Sequence, residues 1–218
     1  MRLPFTAEQF FGVFRTYNDA LWPAQVFLLA LALVVVGLIF FQQRWSGIGV
    51  SAILAFLWGW LGLAYHLAFF ASINPLAYAF WVVSIAGALV FLWEGVVRRR
   101  LEFRLTRTAR TFVGFSLVLF ALGAYPAWSV WAGHRYPAMP TFGLPCPTTL
   151  FTIGILAFLV VPYPRSPFVV PVLWCLVGFQ AALLLGVTQD LGLIVAAVVG
   201  LALMARSREP ADRTAASS

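Results

Sequence analysis

Two histidines, two cysteines and seven acidic residues are all that this 218-residue chain offers for proton transfer, nucleophilic attack or metal ligation. The most distinctive run is Thr141 to Thr152 (TFGLPCPTTLFT), in which prolines on both sides restrict the backbone at Cys146. Thr148 and Thr149 stand where a helix is expected to start, and Thr152 follows one turn later on the same face. A helix N-terminus offers unpaired N–H groups and positive potential, so this run could receive an anion or activate a thiol. A proline-stiffened loop leading into a well-capped helix is the plainer reading of the same residues.

The elements that must position these groups follow from composition. Of all residues 62% are hydrophobic and only 10% charged, with a mean hydropathy of +0.94, well beyond a soluble domain's balance of about half apolar and a quarter charged. The apolar stretches run for 16 to 24 residues without alternating every second residue, so they read as helices and not as strands of a closed barrel. The fold class is therefore an all-α membrane protein: a bundle of about seven transmembrane helices with a short N-terminal amphipathic interfacial helix. Residues 1–20 form the interfacial segment, 21–206 the membrane domain and 207–218 a disordered tail. In the first segment Thr6 and Gln9 have the spacing of a capping box, and Phe10, Phe14 and Tyr17 share one face. The spans are expected at 22–41, 48–71, 76–97, 111–132, 147–162, 168–187 and 190–205, the first acting as an uncleaved insertion signal. Asn74-Pro75 and Pro162, Pro164 and Pro167 supply breaks, and GVTQDLG must turn tightly before the last span.

All fourteen basic residues are arginines, which excludes a retinal Schiff base and other lysine-based covalent chemistry. With the N-terminus outside and the C-terminus in the cytoplasm, Arg44, Arg98, Arg99, Arg100, Arg104, Arg107, Arg110, Arg165, Arg206, Arg208 and Arg213 fall inside, and only Arg2, Arg15 and Arg135 fall outside. That asymmetry is the one cytoplasmic loops require. The basic loop containing Arg98, Arg99, Arg100 and Arg104 would attract anionic lipid at about 1 kcal/mol per charge. Topology alone demands those charges, so they do not argue for nucleic acid. Trp22, Trp45, Trp93, Trp128 and Trp131 lie where an interfacial aromatic belt is expected.

On this layout Glu94 sits one turn from the inner boundary and is expected to pair with Arg98 or Arg99. His66 comes about 28 Å along the second span, near the outer surface. Asp190 opens the last span on that side, where a carboxylate suits a helix N-terminus. Gln25 and Gln180 are expected to bond between helices. No span carries a charge near its middle, which argues against a pump built on an acidic relay. The depth difference between Cys146 and Cys175, about 10 Å, exceeds what a disulfide can bridge.

Two readings of function follow. The first is a small-solute or ion permease, or a ligand-binding membrane module, with an outward vestibule lined by Tyr65, His66, Asn74, Cys146, Thr148, Thr149 and Asp190. The alternative is a membrane redox or metal-handling protein using Cys146 with His66 or His134. The run Pro145-Cys146-Pro147 resembles the Cys-Pro-Cys helices of copper pumps, but with one thiolate where those have two, which weakens soft-metal binding. Neither a G-x-S-x-G elbow nor an H-E-x-x-H pair is present, so enzymatic chemistry is the less favoured class and no cofactor is named. The runs FTAEQFFGVFRTYNDALWPAQ and TFGLPCPTTLFTIG are similar to an uncharacterised family of bacterial multi-pass membrane proteins, a domain of unknown function. The resemblance covers nearly the whole chain and implies one membrane domain in a bacterial inner membrane, with no reaction attached.

Overall fold

A computed structural model describes residues 4–207. Within them the chain forms eight helices and no strands. They are α1 (Ala7–Ala20), α2 (Ala24–Phe41), α3 (Ser46–Ser72), α4 (Ala77–Val97), α5 (Ala109–Trp131), α6 (Pro145–Leu156), α7 (Ser166–Leu184) and α8 (Thr188–Arg206). Six of these, all but α1 and α6, are long and apolar enough to cross a membrane. Residues 1–3 and the expected tail beyond Ser207 lie outside the described residues, as do Arg2, Arg208 and Arg213.

Local chemistry accounts for most boundaries. Thr6 Oγ1 accepts from the Gln9 N–H (3.2 Å) while the Gln9 side chain accepts from the Thr6 N–H (2.9 Å), closing the capping box of α1. Asn74 Oδ1 accepts from the Leu76 N–H at 3.1 Å, and with Pro75 it separates α3 from α4. Gly186, at φ +74°, turns the chain between α7 and α8 in a conformation that a side chain would strain. Three long helices contain widened π turns, at Leu61–Leu67, Leu92–Val97 and Phe120–Ala124. The last directly precedes Tyr125-Pro126, where a proline inside a helix has to be accommodated.

The fifth span departs from expectation. In place of the expected span 147–162 the helix runs over Pro145–Leu156, only 12 residues and about 18 Å long, and the chain then unwinds. Non-helical backbone at membrane depth is tolerated only inside protein, and that is where it lies: Ala157, Phe158 and Leu159 are buried. The loop after α4 pairs with it, the Arg104 N–H donating to Phe158 O (2.9 Å) and the Val160 N–H to Glu102 O (2.8 Å). Arg110 Nη2 donates to Leu159 O. Every residue of α6 except Cys146 is buried, so α6 is the axis of the bundle. Its contact with α5 depends on two glycines. A Cβ on Gly114 would come 2.6 Å from Ala157 Cβ, and one on Gly154 would come 2.9 Å from Gly114 O. Small residues permit such close approach of backbones.

One end of the bundle gathers Arg44, Arg99 and Arg104 around a shared groove, with Arg110 against Leu159 and Arg165 donating to Ser207 Oγ at 2.9 Å. Glu94 pairs there with Arg100 (3.7 Å) and accepts from Ser166 Oγ (3.3 Å). The expected i,i+4 partner Arg98 instead stacks over Trp93 at 5.2 Å. The reason is local: α4 ends at Val97, and Arg99 takes a left-handed conformation (φ +50°) that turns the chain so that the Arg100 N–H reaches Glu94 O (2.8 Å). Trp22, Trp45, Trp93, Trp128 and Trp131 all face outward.

Candidate functional site

At the other end, α1 packs Phe10, Val13, Phe14 and Tyr17 inward, so its apolar face meets protein and not lipid. Tyr17 is fully buried and its hydroxyl accepts from Trp60 Nε1 (2.7 Å). Burial pushes this hydroxyl up to about 12, so it stays neutral in the physiological range. Asn18 ties α1 to the loop between α5 and α6: its Nδ2 donates to Pro137 O (2.7 Å) and Met139 O (2.9 Å). Its Oδ1 accepts from Thr141 Oγ1 (2.8 Å) and Gln25 Nε2 (3.2 Å).

Under this cover is a cavity of about 360 Å³. Phe5, Phe10 and Phe14 form one wall, Tyr65, Phe70 and Phe80 another, and the Pro145-Cys146-Pro147 run opens into it from the start of α6. Its polar groups are few. Asp190 accepts a hydrogen bond from the Tyr125 hydroxyl at 2.5 Å and is also within reach of the Cys146 thiol. The rings of His66 and Trp174 lie 5.0 Å apart between centroids, their planes tilted by 51°. Neither His66 nitrogen nor Trp174 Nε1 has a hydrogen-bond partner, and His66 is 0% exposed. Buried polar atoms are normally paired, and each orphan costs about 1–3 kcal/mol.

Of the residues the sequence nominates, Tyr65, His66, Asn74, Cys146 and Asp190 line this cavity. Thr148 and Thr149 do not: Leu144 and Pro145 begin the helix, which places both threonines within its buried first turns, their hydroxyls unpartnered. Asp190 is no side-chain cap either, since its carboxylate turns to Tyr125. His134 is not brought to His66 and Cys146; it stacks on Phe11 at 4.1 Å. Among the described residues no three His, Cys, Asp or Glu side chains are grouped to hold a metal, and both cysteines are free thiols. Gln180 bonds only within its own helix, to Leu176 O at 3.3 Å. The sequence reading misses Tyr125, Trp174 and Asn18. Tyr125 carries a signal in Tyr-Pro inside a long helix, and Asn18 another as an amide closing an amphipathic face; nothing local marks Trp174.

A profile of a family of unknown function, DUF6064, matches residues 7–215. The chain belongs to that family. No curated protein and no solved structure matches it. Family membership agrees with the resemblance seen in the N-terminal and Pro-Cys-Pro runs, and six membrane-length apolar helices make the chain an integral, multi-pass membrane protein. In this family member the matched region includes α1, the cavity wall it supplies and the Asp190 cluster.

Proposed function

We propose that this chain is a ligand-binding membrane module whose aromatic cavity receives a small molecule from the outer side of a bacterial inner membrane. The observation that carries the reading is a cavity of about 360 Å³ with apolar walls and unpartnered polar atoms at His66 and Trp174. Such a pocket, mostly apolar with a few polar groups to fix orientation, is what small-molecule sites look like. Beneath it Thr148 through Leu156 are buried without a gap. This closed floor favours reception over conduction, so the permease reading ranks second.

The test fills the cavity without removing a polar group. Ala181 lines it, and Ala181→Trp should exclude the ligand. Mass spectrometry of small molecules extracted from protein purified in mild detergent is expected to find a compound near one equivalent in the parent and none in Ala181→Trp. Identical extracts from two folded proteins would sink the reading.

The orientation proposed with it puts the N-terminus outside and the arginine-rich end in the cytoplasm, where Arg98, Arg99, Arg100 and Arg104 would meet anionic headgroups. Reporter fusions after Gln43 and Arg104 are expected to read cytoplasmic, and fusions near Ile73 and Pro137 external. The opposite pattern would invert the protein and place the cavity on the cytoplasmic face.

A further inference from the structure

We infer that the ligand is an uncharged molecule with a hydroxyl group on an apolar ring or chain, an inference that rests on the cavity being a ligand site. The cavity's unmet hydrogen bonds point to it. Trp174 Nε1 and both nitrogens of His66 have no partner. An indole N–H only donates, whereas a neutral imidazole brings one donor and one acceptor. Two donors and one acceptor are therefore unmet, on two rings 5.0 Å apart. His66 is 0% exposed, so solvent does not reach its nitrogens. A hydrogen-bonding group admitted beside the rings would satisfy Trp174 Nε1 and one of the two imidazole nitrogens, with Trp174 rotating to make room.

Four head groups can be weighed against those unmet groups. A carboxylate only accepts, and it would stand against Asp190, which lines the same cavity. An ammonium only donates; it would leave the Trp174 N–H unmet, and the Asp190 carboxylate that would attract it already accepts from the Tyr125 hydroxyl. A hydrocarbon meets none of the three. A hydroxyl both donates and accepts, and it adds no charge to a site walled by Phe5, Phe10, Phe14, Phe70 and Phe80. Those rings suit a flat or branched apolar body, which they can contact edge-on or face-on.

Titration calorimetry of the full chain in detergent with naphthalene, 1-naphthol, 1-naphthoate and 1-naphthylmethylammonium isolates the head group on one body. Ala181→Trp serves as the blank for partition into micelles. The expected result is that 1-naphthol binds about 10-fold more tightly than any of the other three. That advantage should vanish in Trp174→Phe, which keeps the ring packed on Phe80 (5.1 Å between centroids), and in His66→Leu, with the melting temperature of each variant confirming its fold. If His66→Leu does not fold, Trp174→Phe decides alone. Tightest binding of the ammonium or the carboxylate, equal binding of naphthalene, or an unchanged preference in Trp174→Phe would overturn the hydroxyl assignment while leaving a ligand site. If no probe binds the parent chain better than Ala181→Trp, the ligand-binding reading falls, and this inference with it.

Discussion

Replacing Asn18 by leucine is expected to speed modification of Cys146 by an impermeant maleimide about 100-fold. The substitution keeps the branched four-atom skeleton of the side chain and removes the amide. In the parent chain that amide satisfies the carbonyls of Pro137 and Met139 and accepts from Thr141 and Gln25. Leucine leaves these groups unpaired as long as α1 stays closed, at about 1–3 kcal/mol for each that remains buried. Opening returns them to water. A loss on the order of 3 kcal/mol in the closed state raises the open population by roughly two powers of ten. Cys146 lines the cavity beneath α1, so it reports the opening. Cys175 is fully buried in α7 and serves as the control, since it should stay unreactive in both proteins. If Cys146 labelling keeps its parental rate in folded Asn18→Leu, the cavity is reached by another route and α1 is not its cover.

Gly154→Val should prevent the bundle from assembling. A Cβ at this position would lie 2.9 Å from both Gly114 O and Val118 Cγ2, and 3.1 Å from the Val118 N atom. The first and last of these are backbone atoms of α5, which cannot step aside as a side-chain tip can. Valine adds two further methyl carbons to the clash, in a helix that is buried on every side. Overpacking of a filled core costs about 1–3 kcal/mol, and more where backbones must separate. The expected readout is loss of the folded peak in size-exclusion chromatography, or a fall of well over 5 °C in melting temperature. Gly123→Ala is the matched control. Nothing lies within 4 Å of its added carbon, and alanine favours the helix, so its stability should be unchanged or slightly higher. Normal folding of Gly154→Val would mean that α5 and α6 do not meet as described.

Asn18 and Gly154 also mark how far the sequence can be read. Both stand in runs that are conspicuous in the chain, FRTYNDA and TLFTIG, yet neither run says what it will touch. Asn18 bonds to residues 119 and 121 positions away. Tyr125 and Asp190 are 65 positions apart. His66 was legible because an ionisable residue in an apolar span is conspicuous. Trp174 was not, because a tryptophan in a membrane helix more often marks an interface.

By itself the sequence determined what depends on local chemistry and on the solvent. The lengths of six of the seven apolar runs, the capping box at Thr6, the Asn74-Pro75 break and the glycine turn before α8 all appear where their residues place them. The clustering of Arg44, Arg99, Arg104, Arg110 and Arg165 at one end follows from the alternation of basic loops. The tertiary structure decided which faces turn inward. It let α6 stop after 12 residues because the loop after α4 pairs with the backbone that follows. It gave Glu94 to Arg100 instead of Arg98, and it joined His66 to Trp174 and Asp190 to Tyr125. The physical reason is the bilayer. In water a buried face is apolar and an exposed one polar, so periodicity reveals the core. In lipid both faces of a helix are apolar: Leu89 of α4 faces outward and Phe91 inward, and hydrophobicity does not tell them apart. Shape, small residues and a few hydrogen bonds choose the partners there, and those act only once the helices have met.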